Sequence, residues 1–202
     1  MSTGNDIVAL ALTDADRTGQ YRFYSRVLSP VELRHQGVTG LPLPFFVWLC
    51  WSVKESVYKY ASRSDRRLVF APLKIPIDRL FRHDGYYKGV VSYGGAVLYS
   101  RSFLSDETIL TVVSEEENFM HTRWGLHSID SSDYPIQSAT ARIFALQSLS
   151  AVFPGAALRI VKAPDGPPEL WDGDRLLDIP VSLAHHDRYV AWSYRLPSKS
   201  ST

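Results

Sequence analysis

Short apolar runs alternate with polar punctuation along this chain, and one segment breaks the habit. "FFVWLCWSVKESVYKY", residues 45–60, opens with seven consecutive apolar residues, Phe45 to Trp51, and then passes into Lys54, Glu55 and Lys59. The pattern predicts a helix from about Phe45 to Ala61, apolar on all sides in its first two turns and therefore largely buried. Residues four apart stack on a helix while neighbours diverge by about 100°, so Glu55 and Lys59 share one face with Ser52 and Trp48, and Lys54 shares the adjoining face with Tyr58. Read blandly, Glu55 and Lys59 are a surface ion pair worth ~0.3 to 0.5 kcal/mol. Burial of the helix argues otherwise, because buried charges need partners.

The remaining segments predict a helix and a small antiparallel sheet in each half of the chain. "NDIVALAL" reads as a strand. In "YRFYSRVLSPVELRHQ", Ser29, Pro30 and Glu32 have the spacing of a capping box and predict a short helix there. "LVFAPLKIPI", "YKGVVSYGGAVLYSRSFL" and "ETILTVVSEE" read as strands, the second broken by a turn or bulge near Gly94 and Gly95. "NFMHTRWGLHSIDSSDYP" shows no clear period and reads as the connection between halves. "SATARIFALQSLSAVFPG" predicts an amphipathic helix capped by Ser138, with Ile143, Leu146, Leu149 and Val152 or Phe153 on its apolar side. "ALRIVKA", "PPELWD" and "IPVSLAHHDRYVAWSYRL" read as strands, the last a pair turning around His185 to Asp187. The tail "PSKSST" is expected to be mobile. The expected class is α+β, with lobes at residues 1–120 and 121–202 acting as one unit.

Composition narrows the function. A chain of 202 residues with 45% hydrophobic and 12% aromatic content can bury a sizeable core. A net charge of +1 supplies no general field for nucleic acid or an anionic membrane, so any anion site is local. Seven apolar residues fall well short of the roughly 20 of a membrane span, and no basic, apolar leader is visible. The single cysteine, Cys50, excludes an internal disulfide framework and fits a reducing compartment, with the cytoplasm as the default. The six histidines lack zinc-site spacing.

Several motifs together carry a resemblance. "GNDIVALAL", "SRVLSPVEL" and "WSVKESVYK" resemble the opening, F-T-x-x-E and W-S-x-K-E-x-x-x-K motifs of the 4'-phosphopantetheinyl transferases. "SATARIFALQSL", "DGPPEL" and "VSLAHHDRYVAWSY" look like that family's arginine-bearing helix, G-K-P element and S-x-S-H strand. The order, with the K-E half first, is similar to the short holo-acyl-carrier-protein synthases, although with far more residues between the motifs. The resemblance implies a pseudo-dimer whose inter-lobe cleft binds coenzyme A and Mg2+. It also implies transfer of 4'-phosphopantetheine from coenzyme A to a serine of an acyl carrier protein or similar carrier domain.

Carried over residue by residue, the resemblance makes Asp6 and Glu55 the carboxylates that hold Mg2+, with Glu55 also the base for the attacking serine. Lys59 is placed on the pyrophosphate, and Lys54 on either phosphate or solvent. Arg142 is placed on a coenzyme A phosphate and His185, in the position of the S-x-S-H histidine, on a phosphate oxygen. Arg188 adds charge there or faces water. Pro167 stands where the G-K-P lysine belongs, with Lys162 the candidate to replace that contact, and Ala184 stands where a serine precedes the histidine. Val8 occupies the place of a second acid, leaving two protein carboxylates with more water in the metal shell. Arg17, Arg22 and Arg26 are candidates for carrier recognition or an ordinary solvated helix face. No nucleic-acid or membrane partner is expected, and a monomer is. Two other classes compete: a coenzyme A or carrier-protein binding module without turnover, favoured by the altered G-K-P and S-x-S-H elements, and a structural partner of a synthase complex.

Overall fold

The computed structural model describes residues 2–162 and 166–198. Thr3–Ala9 forms β1, buried along its whole length. A 3-10 turn and two single-turn helices, α1 (Ala15–Thr18) and α2 (Tyr21–Tyr24), lead to Ser29. The capping box forms as expected: the Ser29 N–H donates to Glu32 Oε2 at 2.8 Å and the Glu32 N–H to Ser29 Oγ at 3.3 Å. It opens a 3-10 turn, Glu32–Arg34, that runs into α3 (His35–Thr39). The long helix α4 (Leu43–Ser62) then carries Pro44 in its first turn. Its apolar side enters a core with Val8, Leu80, Val91, Leu98 and Val113, and the rings of Trp48, Trp51 and Phe70 pack along its flank.

β2 (Arg79–His83), β3 (Tyr86–Tyr93), β4 (Ala96–Leu104) and β5 (Thr108–Ser114) join β1 in an antiparallel sheet ordered β1-β5-β4-β3-β2. Gly94 and Gly95, with φ of 60° and 81°, form the two-residue turn between β3 and β4, where both central residues must be left-handed. "LVFAPLKIPI" is not a strand. It contains a 3-10 turn, Pro72–Lys74, because Pro72 and Pro76 lack the N–H groups a ladder uses.

Two smaller sheets complete the chain. β6 (Thr122–Ser128) lies within the stretch expected to be a connector, and pairs with β11 (Tyr189–Arg195), which pairs with β10 (Val181–His186). Its period is hidden because Thr122 alone of its residues is buried and Gly125 seats the Trp192 indole, which a Cβ would meet at 2.5 Å. β7 (Leu158–Lys162), β8 (Pro168–Asp172) and β9 (Arg175–Leu177) form the third sheet. Between β6 and β7 runs α5 (Tyr134–Val152), capped at Asp133 rather than Ser138, which lies inside the helix. The buried side is Gln137, Ala141, Ala145 and Leu149, whereas Ile143 and Val152 are exposed. Small residues every fourth position let α5 sit close on β10 and β11, where Ala145 and Leu149 meet Val181, Trp192 and Tyr194.

β1 is where the halves meet. Its Gly4, Asp6 and Val8 face α4, and its Thr3 and Ile7 face β10 and β11. Thr3 Oγ1 lies 3.1 Å from Ser193 Oγ, the Asn5 N–H donates to Ser182 Oγ at 3.1 Å, and the Ala9 N–H to His186 Nδ1 at 3.1 Å. Ile7, Leu110, Val112, Phe119, Ala184 and Ala191 form an apolar cluster between the two sheets. No helix among the described residues is long and apolar enough to cross a membrane. The expectation of a mobile tail falls largely on residues 199–202, and Asp165 of "DGPP" also lies outside the described residues.

Candidate active site

Gly4 fixes how closely the first strand approaches the long helix. A Cβ at this position would stand 2.0 Å from the Ser56 carbonyl oxygen and 2.8 Å from the Tyr60 nitrogen, so only glycine lets β1 pass beneath this turn of α4. Asp6 follows two residues later on the same face of the strand. Its Oδ1 lies 3.2 Å from Lys59 Nζ, and the same ammonium stands 3.5 Å from Glu55 Oε1. Two carboxylates from distant parts of the chain thus converge on one cation, and their nearest oxygens can be no further apart than the two distances combined.

The three charges differ in environment. Asp6 is 5% exposed, whereas the side chains of Lys59 and Glu55 are 24% and 27% exposed. Burial raises the Asp6 carboxyl to about 6, against the opposing pull of Lys59 and with a further push from the Glu55 charge. For Lys59, burial works against the charged form, but Asp6 and Glu55 outweigh it and hold the ammonium above its ordinary value. Trp51 Nε1 donates to Glu55 Oε2 at 2.9 Å and so orients that carboxylate. Asp6 Oδ2 and Ser52 Oγ are buried with no hydrogen-bond partner among the described residues. A buried carboxylate oxygen left open in this way can serve a ligand atom or ion that brings positive charge. Among the described residues, no third His, Cys, Asp or Glu joins these acids in a cluster suited to a metal.

Lys54 is not part of this arrangement, and its expected contact with phosphate or solvent is corrected. The side chain is fully buried, its Nζ donating to the Val27 carbonyl at 2.6 Å and lying 2.8 Å from Glu32 Oε1. Glu32 accepts in addition the N–H groups of Ser29 and Ile77. The pair therefore pins α4 to the turn before α3 and to the start of the sheet, with every Lys54 proton directed inward. Helical spacing separated Lys54 from the Glu55 and Lys59 face correctly, but periodicity alone could not show that a carboxylate waited on the other side.

On the far side of Lys59 opens a cleft of about 410 Å³. Tyr58, Lys59 and Ser62 of α4 line one wall, Ser182, Leu183 and His185 of β10 the other, and Lys162, Pro167 and Ser138 complete it. Lys59 connects the two features, since it lines the cleft and touches both acids. Burial, together with the positive charge of Lys59 and Lys162, holds the His185 imidazole below its ordinary value, and Tyr134 stacks edge-on against the ring at 4.9 Å. His186, its neighbour, instead serves the fold by accepting the Ala9 N–H. Ser138 contributes to the cleft from within α5. Arg142, one turn further on the same helix, is partly buried and does not itself line the cleft.

Two of the three departures from the motif pattern, Ala184 and Pro167, have different consequences. Ala184 is buried in the apolar cluster between the two sheets, with Ile7 and Ala191, and does not line the cleft. Pro167 does line the cleft, and so does Lys162, close enough to perturb His185. Arg63 is a wall residue that motif reading missed; its signal was only its position, four residues beyond Lys59 on the same helix. Arg188 sits at the β10–β11 turn, where its carbonyl accepts the Ile129 N–H at 2.9 Å. Arg17, Arg22 and Arg26 line a separate recess with Phe23 and Gln20.

Neither the curated proteins nor the solved structures yield a match to this chain. A family model matches residues 2–107, the stretch that holds Gly4, Asp6, Glu55 and Lys59 and more than half of the chain, and on that match the chain belongs to the 4'-phosphopantetheinyl transferase superfamily.

Proposed function

We propose that this protein transfers 4'-phosphopantetheine from coenzyme A to a serine of an apo acyl or peptidyl carrier protein, in the manner of the holo-acyl-carrier-protein synthases and with Mg2+. The convergence of Asp6 and Glu55 on Lys59 at the mouth of a cleft carries this reading. The donor set suits the ion: two hard carboxylates, one with a buried and unpartnered oxygen, leave the rest of a shell to phosphate and water. Asp6 and Glu55 would hold Mg2+, which when bound supplies positive charge against the pyrophosphate oxygens.

The chain's own residues do the rest. Coenzyme A lies in the cleft, with His185 donating a ring N–H to a phosphate oxygen and Lys162 adding positive charge where the family's G-K-P lysine is absent. Arg142 reaches a donor phosphate from the rim, beyond Ser138. The serine oxygen of the carrier attacks the phosphorus that bears pantetheine, the bond from that phosphorus to the oxygen of 3',5'-ADP breaks, and Glu55 takes the serine proton. Lys59, a compact point charge, neutralises the oxygen whose charge grows as 3',5'-ADP departs. The Trp51 bond to Glu55 keeps the base aimed.

The arrangement also supports a pseudo-dimer of lobes 1–120 and 121–202. In the first, a strand is followed by α4 and by a hairpin whose last strand returns to pair with the opening one, giving β1-β5-β4. In the second, β6, α5 and the β10–β11 hairpin repeat that order as β6-β11-β10. The deciding experiment is mass spectrometry of a panel of apo carrier proteins mixed with coenzyme A, Mg2+ and this protein. Addition of the phosphopantetheine mass supports the reading, and binding of coenzyme A with no mass added to any carrier would replace it with a binding module.

A further inference from the structure

We infer that Arg63 is a positioning residue that ties the two walls of the cleft together and sets its width for the donor, an inference that rests on the transferase reading above. Arg63 closes α4 as its C-cap residue, one turn beyond Lys59 and stacked on the same face. From there its Nη2 crosses to the other half of the molecule and donates to the carbonyls of Pro168, at 3.0 Å, and Val181, at 2.5 Å. Those carbonyls belong to β8 and β10, strands of two different sheets. A single guanidinium thus joins the helix that carries Glu55 and Lys59 to both strands that face them.

Each anchor continues into the cleft. Pro167 precedes Pro168 in its lining, and Ser182, Leu183 and His185 follow Val181 along β10. Val181 and His185 point to the same side of their strand, four residues apart, so fixing Val181 fixes where the histidine stands opposite Lys59. Arg63 also borders a second recess, of about 260 Å³, whose lining includes Glu169, Leu170, Leu176 and Asp178. Arg66 and Pro167 line both spaces too, so the partition between recess and cleft is shared, but it is Arg63 that bonds both strands, and losing it lets the walls part. Both carbonyls are served by the two hydrogens of one terminal nitrogen, held in the guanidinium plane at the end of a side chain one bond longer than lysine's, so lysine reaches the pair less well.

The test compares Arg63→Met, which keeps an unbranched apolar stem and removes the donors, with Arg63→Lys. It uses steady-state labelling of a carrier protein and hydrogen exchange at residues 169–171 and 182–186. Arg63→Met should raise KM for coenzyme A by about tenfold or more while kcat at saturating donor stays within about threefold and KM for the carrier is unchanged. Arg63→Lys should fall between Met and wild type. Exchange in both segments should quicken while that of residues 145–149 in α5 does not. A fall in kcat with KM for coenzyme A unaltered, or wild-type values for both KM and exchange, would overturn the inference. Should Arg63→Met not fold, Arg63→Lys decides by the same two readouts. If the wild-type protein labels no carrier, it is the transferase reading that fails, and the tie is then judged by exchange alone, with unchanged exchange refuting it.

Discussion

Asp6 Oδ1 and Lys59 Nζ lie 3.2 Å apart across 53 residues of sequence, one on an edge strand and the other on the helix that crosses it. The contact exists because Gly4 removes the side chain that would keep those elements apart. Its neighbour Glu55 turns an ion pair into a two-carboxylate site, and the proposed chemistry requires both acids.

Glu55→Gln keeps the shape and the contact to Trp51 but removes the charge and the base. We expect carrier labelling to fall by ~10²-fold or more at saturating Mg2+, in the range of a lost general base. The melting temperature should move little, since the side chain is partly exposed. Near-normal labelling, read by mass spectrometry, would assign the base elsewhere.

Asp6 makes a prediction about pH. Its carboxyl is raised from 3.8 to about 6, so the stability this group contributes is fully present below 3.8 and lost as pH rises through about 6. In EDTA at pH 7.5, Asp6→Asn should therefore melt no lower than wild type. Added Mg2+ should raise the wild-type melting temperature by a few degrees, leave Asp6→Asn unmoved, and lose its effect on wild type as pH falls through about 6, when the carboxyl takes up a proton. Differential scanning calorimetry with and without Mg2+ checks all three. Equal Mg2+ shifts in the two proteins would remove Asp6 from the metal site.

Gly4→Ala places a carbon 2.0 Å from the Ser56 carbonyl, a backbone atom that cannot step aside. A cost of ~3 kcal/mol or more is expected from this overpacking, together with loss of labelling that extra Mg2+ does not restore. Urea denaturation measures the first, and a cost under ~1 kcal/mol would mean that β1 and α4 separate more easily than the contact implies.

Lys54→Met should destabilise the fold by ~3 to 5 kcal/mol, because it strands the Glu32 carboxylate in the interior. Glu32→Leu should cost more than that, since it strands the N–H groups of Ser29 and Ile77 as well as Lys54. Whatever Lys54→Met protein folds should keep the wild-type KM for coenzyme A. A raised KM in folded protein would return Lys54 to the donor site.

Local pattern was enough for much of the fold. The α4 helix, the Ser29–Glu32 box, the Gly94–Gly95 turn and the β10–β11 hairpin follow from spacing and from residue types that few other conformations suit. Pattern failed where a residue's surroundings come from distant chain. Thr122–Ser128 lacks a clear period because Trp192 covers Gly125, and α5 buries its alanines rather than Ile143 because β10 and β11 lie close against it. Of the candidate residues, Asp6, Glu55 and Lys59 come together beside the cleft, His185 and Lys162 line it, Arg142 stays at its margin and Lys54 belongs to the interior.

By itself the sequence determined which side chains share a face and which motifs the chain carries, because helical and strand periods are local properties of the backbone. It determined the charges on the greasy helix but not their destinations. Only the tertiary structure decided that Lys54 turns inward to Glu32 while Lys59 meets Asp6, and that Arg63 spans to β8 and β10. Those outcomes depend on which elements approach within a few ångströms of one another, a relation fixed by packing across the whole chain and by the one glycine that permits the closest approach.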